Sequence, residues 1–298
     1  MQKNIIIIAG PTASGKSQLA IDLAEKFNGE IINCDSQQLY KDTPIISACP
    51  SGEDKTIMPH HLYQIYESTK HGNVVDWLNL CVEKIKTLWN ENKTPVIVGG
   101  TGLYINNLVY GTTPIPSIDT EVRNKVEKEN NPYNLLDEKA KNVLNPNDTT
   151  RTKRALEVLW QTGRSIVDWH DEPLIKAIEA NFFIIKIIPS KKELDERIDF
   201  RFNKMVELGA IDEAKNYKSL NINPMLPASK ALGLPEIIDY LDGTTTLDEA
   251  IELAKIHTHQ YAKRQITWFK NKLEANFIFD KCYKEINEDL INFINKSF

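Results

Sequence analysis

The chain has 298 residues, with 36 lysines and arginines against 41 aspartates and glutamates, a formal net charge of −5 at pH 7. Hydrophobic residues make up 41% and charged residues 26%, which excludes disordered, collagen-like and coiled-coil classes and suggests one large domain or two ordinary ones. The longest apolar run, Ile5 to Ala9, is strand-sized, well short of the roughly 18 residues of a membrane helix. No leader peptide and no membrane association are expected. The four cysteines, Cys34, Cys49, Cys81 and Cys282, include no CxxC pair and read as free thiols in a reducing cytoplasm. None of the six histidines reads as a metal ligand.

In chain order, Asn4-Ile5-Ile6-Ile7-Ile8-Ala9 is a β-branched run of the kind buried in a parallel sheet. It leads into Gly10-Pro11-Thr12-Ala13-Ser14-Gly15-Lys16-Ser17, which fits G-x-x-x-x-G-K-[ST]. Leu19, Ala20, Leu23, Ala24 and Phe27 then recur at helical spacing. Strand, glycine loop and helix is the context of a phosphate-binding P-loop. Its backbone N–H groups and the positive end of the helix would wrap a phosphate. Lys16 would reach the terminal phosphates and the Ser17 hydroxyl would ligate Mg²⁺. The pattern specifies a polyphosphate without saying which.

A second strand, Glu30 to Cys34, ends in Asp35-Ser36-Gln37-Gln38-Leu39-Tyr40. Ligands sit at the carboxyl ends of strands in open α/β sheets, so Asp35 either faces the P-loop crevice or caps the next helix. Val75 to Trp89 has helical spacing, and a third strand, Pro95 to Val98, runs into Gly99-Gly100-Thr101-Gly102-Leu103-Tyr104. Five of only 13 glycines fall in these two loops, marking places where backbone comes close to something. From Thr112 to Ala180 the pattern is helical, with no strand-like run; Phe182 to Ile188 then returns as a strand. Beyond Pro189 the chain reads as helical almost to the end, interrupted at Asn221 to Pro227. The expected fold is α/β: a P-loop NTPase-like parallel-sheet core with a helical insertion domain and a helix-rich C-terminal part. The expected division is core at 1–113, insertion at 114–180, and core with C-terminal helices at 181–298.

No N-K-x-D or D-x-x-G segment occurs, which disfavours GTPases. The protein is acidic, yet residues 253–273 carry Lys255, Lys263, Arg264, Lys270 and Lys272 with no acidic residue, interleaved with Tyr261, Trp268 and Phe269. Arg151, Lys153, Arg154 and Arg164 form a second basic cluster. Each patch is either a contact for RNA phosphates or a solvated helix face.

The P-loop string with Asp35-Ser36-Gln37-Gln38-Leu39-Tyr40 resembles the tRNA dimethylallyltransferases. So do Pro59-His60-His61-Leu62, Gly99-Gly100-Thr101-Gly102-Leu103-Tyr104, Asn145-Pro146-Asn147-Asp148 with Arg151 and Arg154-Ala155-Leu156-Glu157, and Lys263-Arg264-Gln265-Ile266-Thr267-Trp268. These motifs lie in family order along nearly the whole chain. The resemblance implies transfer of a dimethylallyl group from dimethylallyl diphosphate to the N6 amine of the adenosine 3′ of the anticodon, in tRNAs reading codons that begin with U. It implies Asp35 as general base, Thr101 near the reacting groups, and Lys16, Arg201 and the P-loop on the diphosphate, with Mg²⁺ held through Ser17. Asp35 to Gln38, Thr101, Arg123, Thr150, Arg151, Thr152, Lys153, Arg154, Lys263, Arg264, Gln265 and Trp268 would contact the tRNA anticodon stem-loop, Gln38 reading the base edge. A cytoplasmic monomer is implied. The chain departs from the family at Ser47-Ala48-Cys49-Pro50, where Thr-Ala-Lys-Pro is usual, and at Gly233-Leu234-Pro235, where Gly-Tyr and a basic residue are usual. Two other readings stay open: a P-loop small-molecule kinase, and a nucleotide-regulated RNA-binding protein without catalysis.

Overall fold

The side chains of Ile5 to Ile8 are wholly buried and make β1 (Asn4–Ala9) an inner strand. Each contributes about 1.5–3 kcal/mol by leaving water, and a strand covered on both faces needs no polar alternation. The computed structural model describes residues 3–285 and 288–297. After β1 come α1 (Lys16–Lys26), β2 (Gly29–Asn33), α2 (Gly52–Ile57), β3 (His60–His61), α3 (Val74–Asn90), β4 (Thr94–Gly99) and α4 (Gly102–Tyr110). Four helices follow, α5 (Thr120–Glu127), α6 (Glu138–Val143), α7 (Thr149–Thr162) and α8 (Ile166–His170). The chain then forms β5 (Asn181–Ile187), α9 (Lys191–Glu207), α10 (Ala210–Ser219), α11 (Leu234–Leu241), α12 (Leu247–Lys272), β6 (Phe277–Phe279) and α13 (Glu288–Ser297).

The six strands form one sheet in the order β3-β2-β4-β1-β5-β6, every pair parallel. Ile7 stands opposite Ile97 on one side and Ile184 on the other. Because β4 lies between β1 and β2, the carboxyl ends of all three open side by side: the P-loop, Gly99 to Thr101, and Asn33 to Asp35. One face of the sheet packs Val96, Phe183 and Ile185 with Leu19 and Leu23 of α1 and Leu290 and Ile294 of α13. Near β2, Trp77 of α3 donates its indole N–H to the Asn33 carbonyl at 2.8 Å and stacks on Tyr104 of α4 at 4.7 Å between ring centroids. Lys186, buried within β5, donates to the carbonyls of Phe269 (3.1 Å) and Leu273 (2.7 Å). A cation at the negative end of α12 thus ties that helix to the sheet.

Two strands go beyond the sequence expectation. β3 has two residues, both histidines, and β6 has three at the sheet edge; neither is long enough for alternation to show.

The chain divides into two units: this one, running to Val109 and again from Ala177, and Tyr110–Lys176. The second unit has a core of its own, in which Val126, Leu136, Ala140, Ala155, Leu156 and Val158 are buried. It begins a few residues before the expected boundary and also ends before it, because Thr112 and Ile175 exchange backbone hydrogen bonds at 2.9 Å. Gly111 beside them has φ +103°, and a Cβ there would meet the Ile175 carbonyl at 2.7 Å. Asn145-Pro146-Asn147-Asp148 is the entry to α7: Asn145 Oδ1 accepts from Asn147 N at 2.9 Å and Asp148 Oδ1 from Arg151 N at 3.1 Å. An aspartate cap of this kind satisfies a helix donor that would otherwise face solvent alone.

Candidate active site

The P-loop turns between β1 and α1 with Ala13 at φ +63° and Gly15 at φ +91°. Gly15 is required twice over, since a Cβ would also sit 2.8 Å from the Tyr283 carbonyl. Tyr283 donates its N–H to Ser14 O at 2.9 Å, tying the segment after β6 to the loop. Lys16 Nζ folds back onto Pro11 O at 2.6 Å. Burial lowers its pKa to about 8; Asp35 pulls it up, and Arg201 pushes it down further. Arg201, on α9, donates to Thr12 Oγ1, and burial lowers its pKa to about 10.

Asp35 satisfies both sequence readings at once. Its Oδ1 accepts the Gln37 N–H at 3.0 Å, a local turn cap, while the carboxylate also lines a cavity of about 580 Å³ with the P-loop. That cavity has Thr12, Ala13, Gly15, Lys16 and Ser17 on one side and Gln38, Tyr63, Arg197, Arg201 and Lys204 around it. A second cavity, of about 290 Å³, is lined by Gln37, Lys230, Thr258, Tyr261 and Arg264. The two share Thr12, Asp35, Ser47 and Arg201. Arg264 stands over the Tyr261 ring at 5.7 Å; burial, reinforced by Asp35, raises the Tyr261 pKa and keeps the phenol neutral.

The remaining expected site residues near the sheet take varied positions. Thr101 lines neither cavity; its hydroxyl accepts Ser36 N–H at 2.9 Å and donates to Ser36 Oγ at 3.3 Å, bracing the loop that carries Asp35. Gln38 spends its amide N–H groups on Ser47 O (3.1 Å) and Ala48 O (2.6 Å). Gln265 is buried and holds backbone groups at both ends of its amide. Trp268 packs over Gly102, where a Cβ would come within 2.4 Å of the indole. Lys263 and Arg264 are exposed along a groove of about 560 Å³ that also includes Thr267 and Trp268.

Within the second unit, Arg123, Thr150 and Arg151 are exposed, and Lys153 and Arg154 half-exposed. Lys153 pairs with Glu127 at 2.8 Å and Arg154 with Glu157 at 3.3 Å. Thr152 is a correction: it is 1% exposed, on the core side of α7 with Ala155 and Leu156, and cannot meet RNA from there. Residues the sequence reading passed over include Tyr63, Lys204, Lys230 and Tyr283. Lys204 lies one helical turn beyond Arg201 on α9, which is the signal that could have found it; Tyr283 carried no local signal.

Among the described residues no three His, Cys, Asp or Glu side chains gather into a cage. The Ser17 hydroxyl and Asp35 carboxylate line the same cavity, hard oxygen donors suited to an ion that keeps waters and arrives with a diphosphate.

A parallel sheet, an anion loop at its centre, a carboxylate shared by two cavities and a basic, aromatic helix define a P-loop protein that brings a polyphosphate to a second substrate. The model of the IPP transferase family matches residues 38–272, and the chain belongs to that family. It is 40% identical to the tRNA dimethylallyltransferase of Ehrlichia ruminantium over 99% of both chains. It is 44% identical to that of Rickettsia massiliae over 95% of this chain and 81% of the other. The crystal structure of a Bacillus halodurans tRNA isopentenylpyrophosphate transferase superposes with a TM-score of 0.73 at 33% identity, covering 99% of this chain and 97% of that one. A eukaryotic dimethylallyltransferase acting on tRNA superposes with 0.79 at 30% identity, covering 93% and 74%. No helix among the described residues is long and apolar enough to cross a membrane.

Proposed function

We propose that this chain is a tRNA dimethylallyltransferase that moves a dimethylallyl group from dimethylallyl diphosphate to N6 of the adenosine 3′ of the anticodon. The observation that carries the reading is Asp35 on the wall common to both cavities, with the P-loop in one and Tyr261, Arg264 and Lys230 in the other. The first suits the diphosphate and the second the flipped base, which must leave the anticodon-loop stack to be reached.

N6 attacks C1 of the donor, the C–N bond forms as the C1–O bond breaks, and diphosphate departs with the electron pair. The adenine amine is a weak nucleophile because its lone pair is delocalised into the ring, so removal of its proton helps. Asp35 Oδ2 has no hydrogen-bond partner among the described residues, while Oδ1 is held by Gln37 N–H. The oxygen free to take the proton is therefore on a carboxylate fixed by the other. The P-loop amides, Lys16 and Arg201 stabilise charge growing on the leaving group. Mg²⁺, held through Ser17 and the diphosphate, would add Lewis-acid neutralisation of that charge.

The test is incubation of the protein with Mg²⁺, dimethylallyl diphosphate and unmodified tRNA, followed by mass spectrometry of the nucleosides. An added dimethylallyl mass on adenosine, with kcat reduced about 10²–10⁴-fold in Asp35→Asn, is the expected result. Transfer at the wild-type rate by Asp35→Asn would overturn the base assignment, and no transfer by the wild-type chain would overturn the reading.

A further inference from the structure

Gln265 sits on α12 with 6% of its surface exposed. Its Oε1 accepts the N–H of Thr12 in the P-loop at 2.9 Å, and its Nε2 donates to the Gly100 carbonyl at 2.9 Å. One amide thus spans the loops that follow β1 and β4. Thr12 also receives Arg201 through its hydroxyl, and Thr101, next to Gly100, braces Ser36 beside Asp35. Gly100 is shaped to this side chain: a Cβ there would lie 2.3 Å from Nε2. Filling this space alone would suit leucine or methionine. A buried amide is costly unless both ends are bonded, and here both ends hold functional loops.

We propose that Gln265 is a positioning residue, setting the spacing between the diphosphate grip and the Asp35 loop; the inference rests on the transfer reading above. In-line displacement needs the amine and C1 at near-attack distance. A displacement of about 1 Å costs up to about a hundredfold in rate without weakening either ground-state complex. Gln265 therefore acts on kcat and leaves each KM alone.

The experiment uses the full chain with dimethylallyl diphosphate and unmodified tRNA, each varied in turn. Gln265→Leu removes both hydrogen bonds. Gln265→Glu keeps the acceptor for Thr12 and replaces the Gly100 donor with a repelling oxygen. Both should lower kcat about tenfold to a hundredfold, with both KM values within about twofold of wild type. Gly100→Ala should lower kcat by displacing the amide. Adding Gln265→Ala relieves that clash but leaves both backbone groups without the amide, so kcat should stay low. Unchanged kcat in Gln265→Leu, or recovery of kcat in the double variant, would overturn the proposal. Should Gln265→Leu fail to fold, Gln265→Glu and the Gly100→Ala pair decide the question. Absence of transfer by the wild-type chain overturns the transfer reading instead, so the two failures are distinct.

Discussion

Lys16 offers the sharpest test of the site's electrostatics. Burial holds its pKa near 8 in the free protein, against 10.5 for an ordinary lysine. The P-loop cation is therefore lost as pH rises through about 8. On the proposed reading the charged form grips diphosphate, so kcat/KM for dimethylallyl diphosphate, which reports the protein before the donor binds, should fall above that pH. For one group titrating at 8, the protonated fraction drops about thirtyfold between pH 7 and pH 9.5. At saturating donor, kcat should hold to higher pH, because the bound anion raises the Lys16 pKa again. Arg201, lowered to about 10, adds a further fall only at the alkaline end. Stability carries the opposite sign. With the folded pKa below the unfolded one, the folded state binds fewer protons between about 8 and 10.5, so stability rises with pH through that window. The assay is initial rates at saturating tRNA with donor varied, from pH 7 to 9.5. A flat kcat/KM across that range would refute the burial argument, and a profile that flattens in Lys16→Arg supports it.

Gly102→Ala should destabilise the fold by about 1–3 kcal/mol through overpacking against the Trp268 ring, read as a lower melting temperature; an unchanged one would contradict the described packing. Thr152→Val should be neutral or stabilising by up to about 1–2 kcal/mol, since its buried hydroxyl has no hydrogen-bond partner among the described residues, and tRNA affinity should not change; weaker binding would restore Thr152 as a contact. Lys263→Ala should reduce the slope of log K against log salt for tRNA binding by about 0.7–0.9, and an unchanged slope would remove Lys263 from the interface. Chelation of Mg²⁺ should abolish transfer while leaving tRNA retention in a gel largely intact, and full activity in chelator would sink the Ser17 assignment.

How much of this was legible depended on whether the geometry was local. The P-loop, Asp35 and Gly99 to Thr101 are each a strand end and the turn after it, so spacing along the chain located them. Arg201 and Gln265 reach the same place from α9 and α12, and Gln265 meets Thr12 across 253 positions; a motif could put them at the site, but not say which way the amide points. Thr152 shows the opposite case. Helical periodicity with Ala155 and Leu156 put it on the core face, a signal that outweighs its place inside a basic cluster. β3 and β6 stayed hidden because two and three residues are too few for a period of two to register.

A P-loop is usually associated with phosphoryl transfer, yet nothing in its physics requires that a P–O bond break. Its amides and lysine stabilise negative charge on a polyphosphate, and that serves equally when the polyphosphate leaves from carbon. What decides the outcome is the group standing beyond the anion. Here Arg201 donates to Thr12 Oγ1 rather than to the Asp35 carboxylate. Four cations, Lys16, Arg197, Arg201 and Lys204, line the P-loop cavity with only Asp35 and Glu196 as carboxylates. Positive charge alone would serve phosphoryl transfer equally well; what the proposed N-alkylation adds is an acceptor for the amine proton standing beside it.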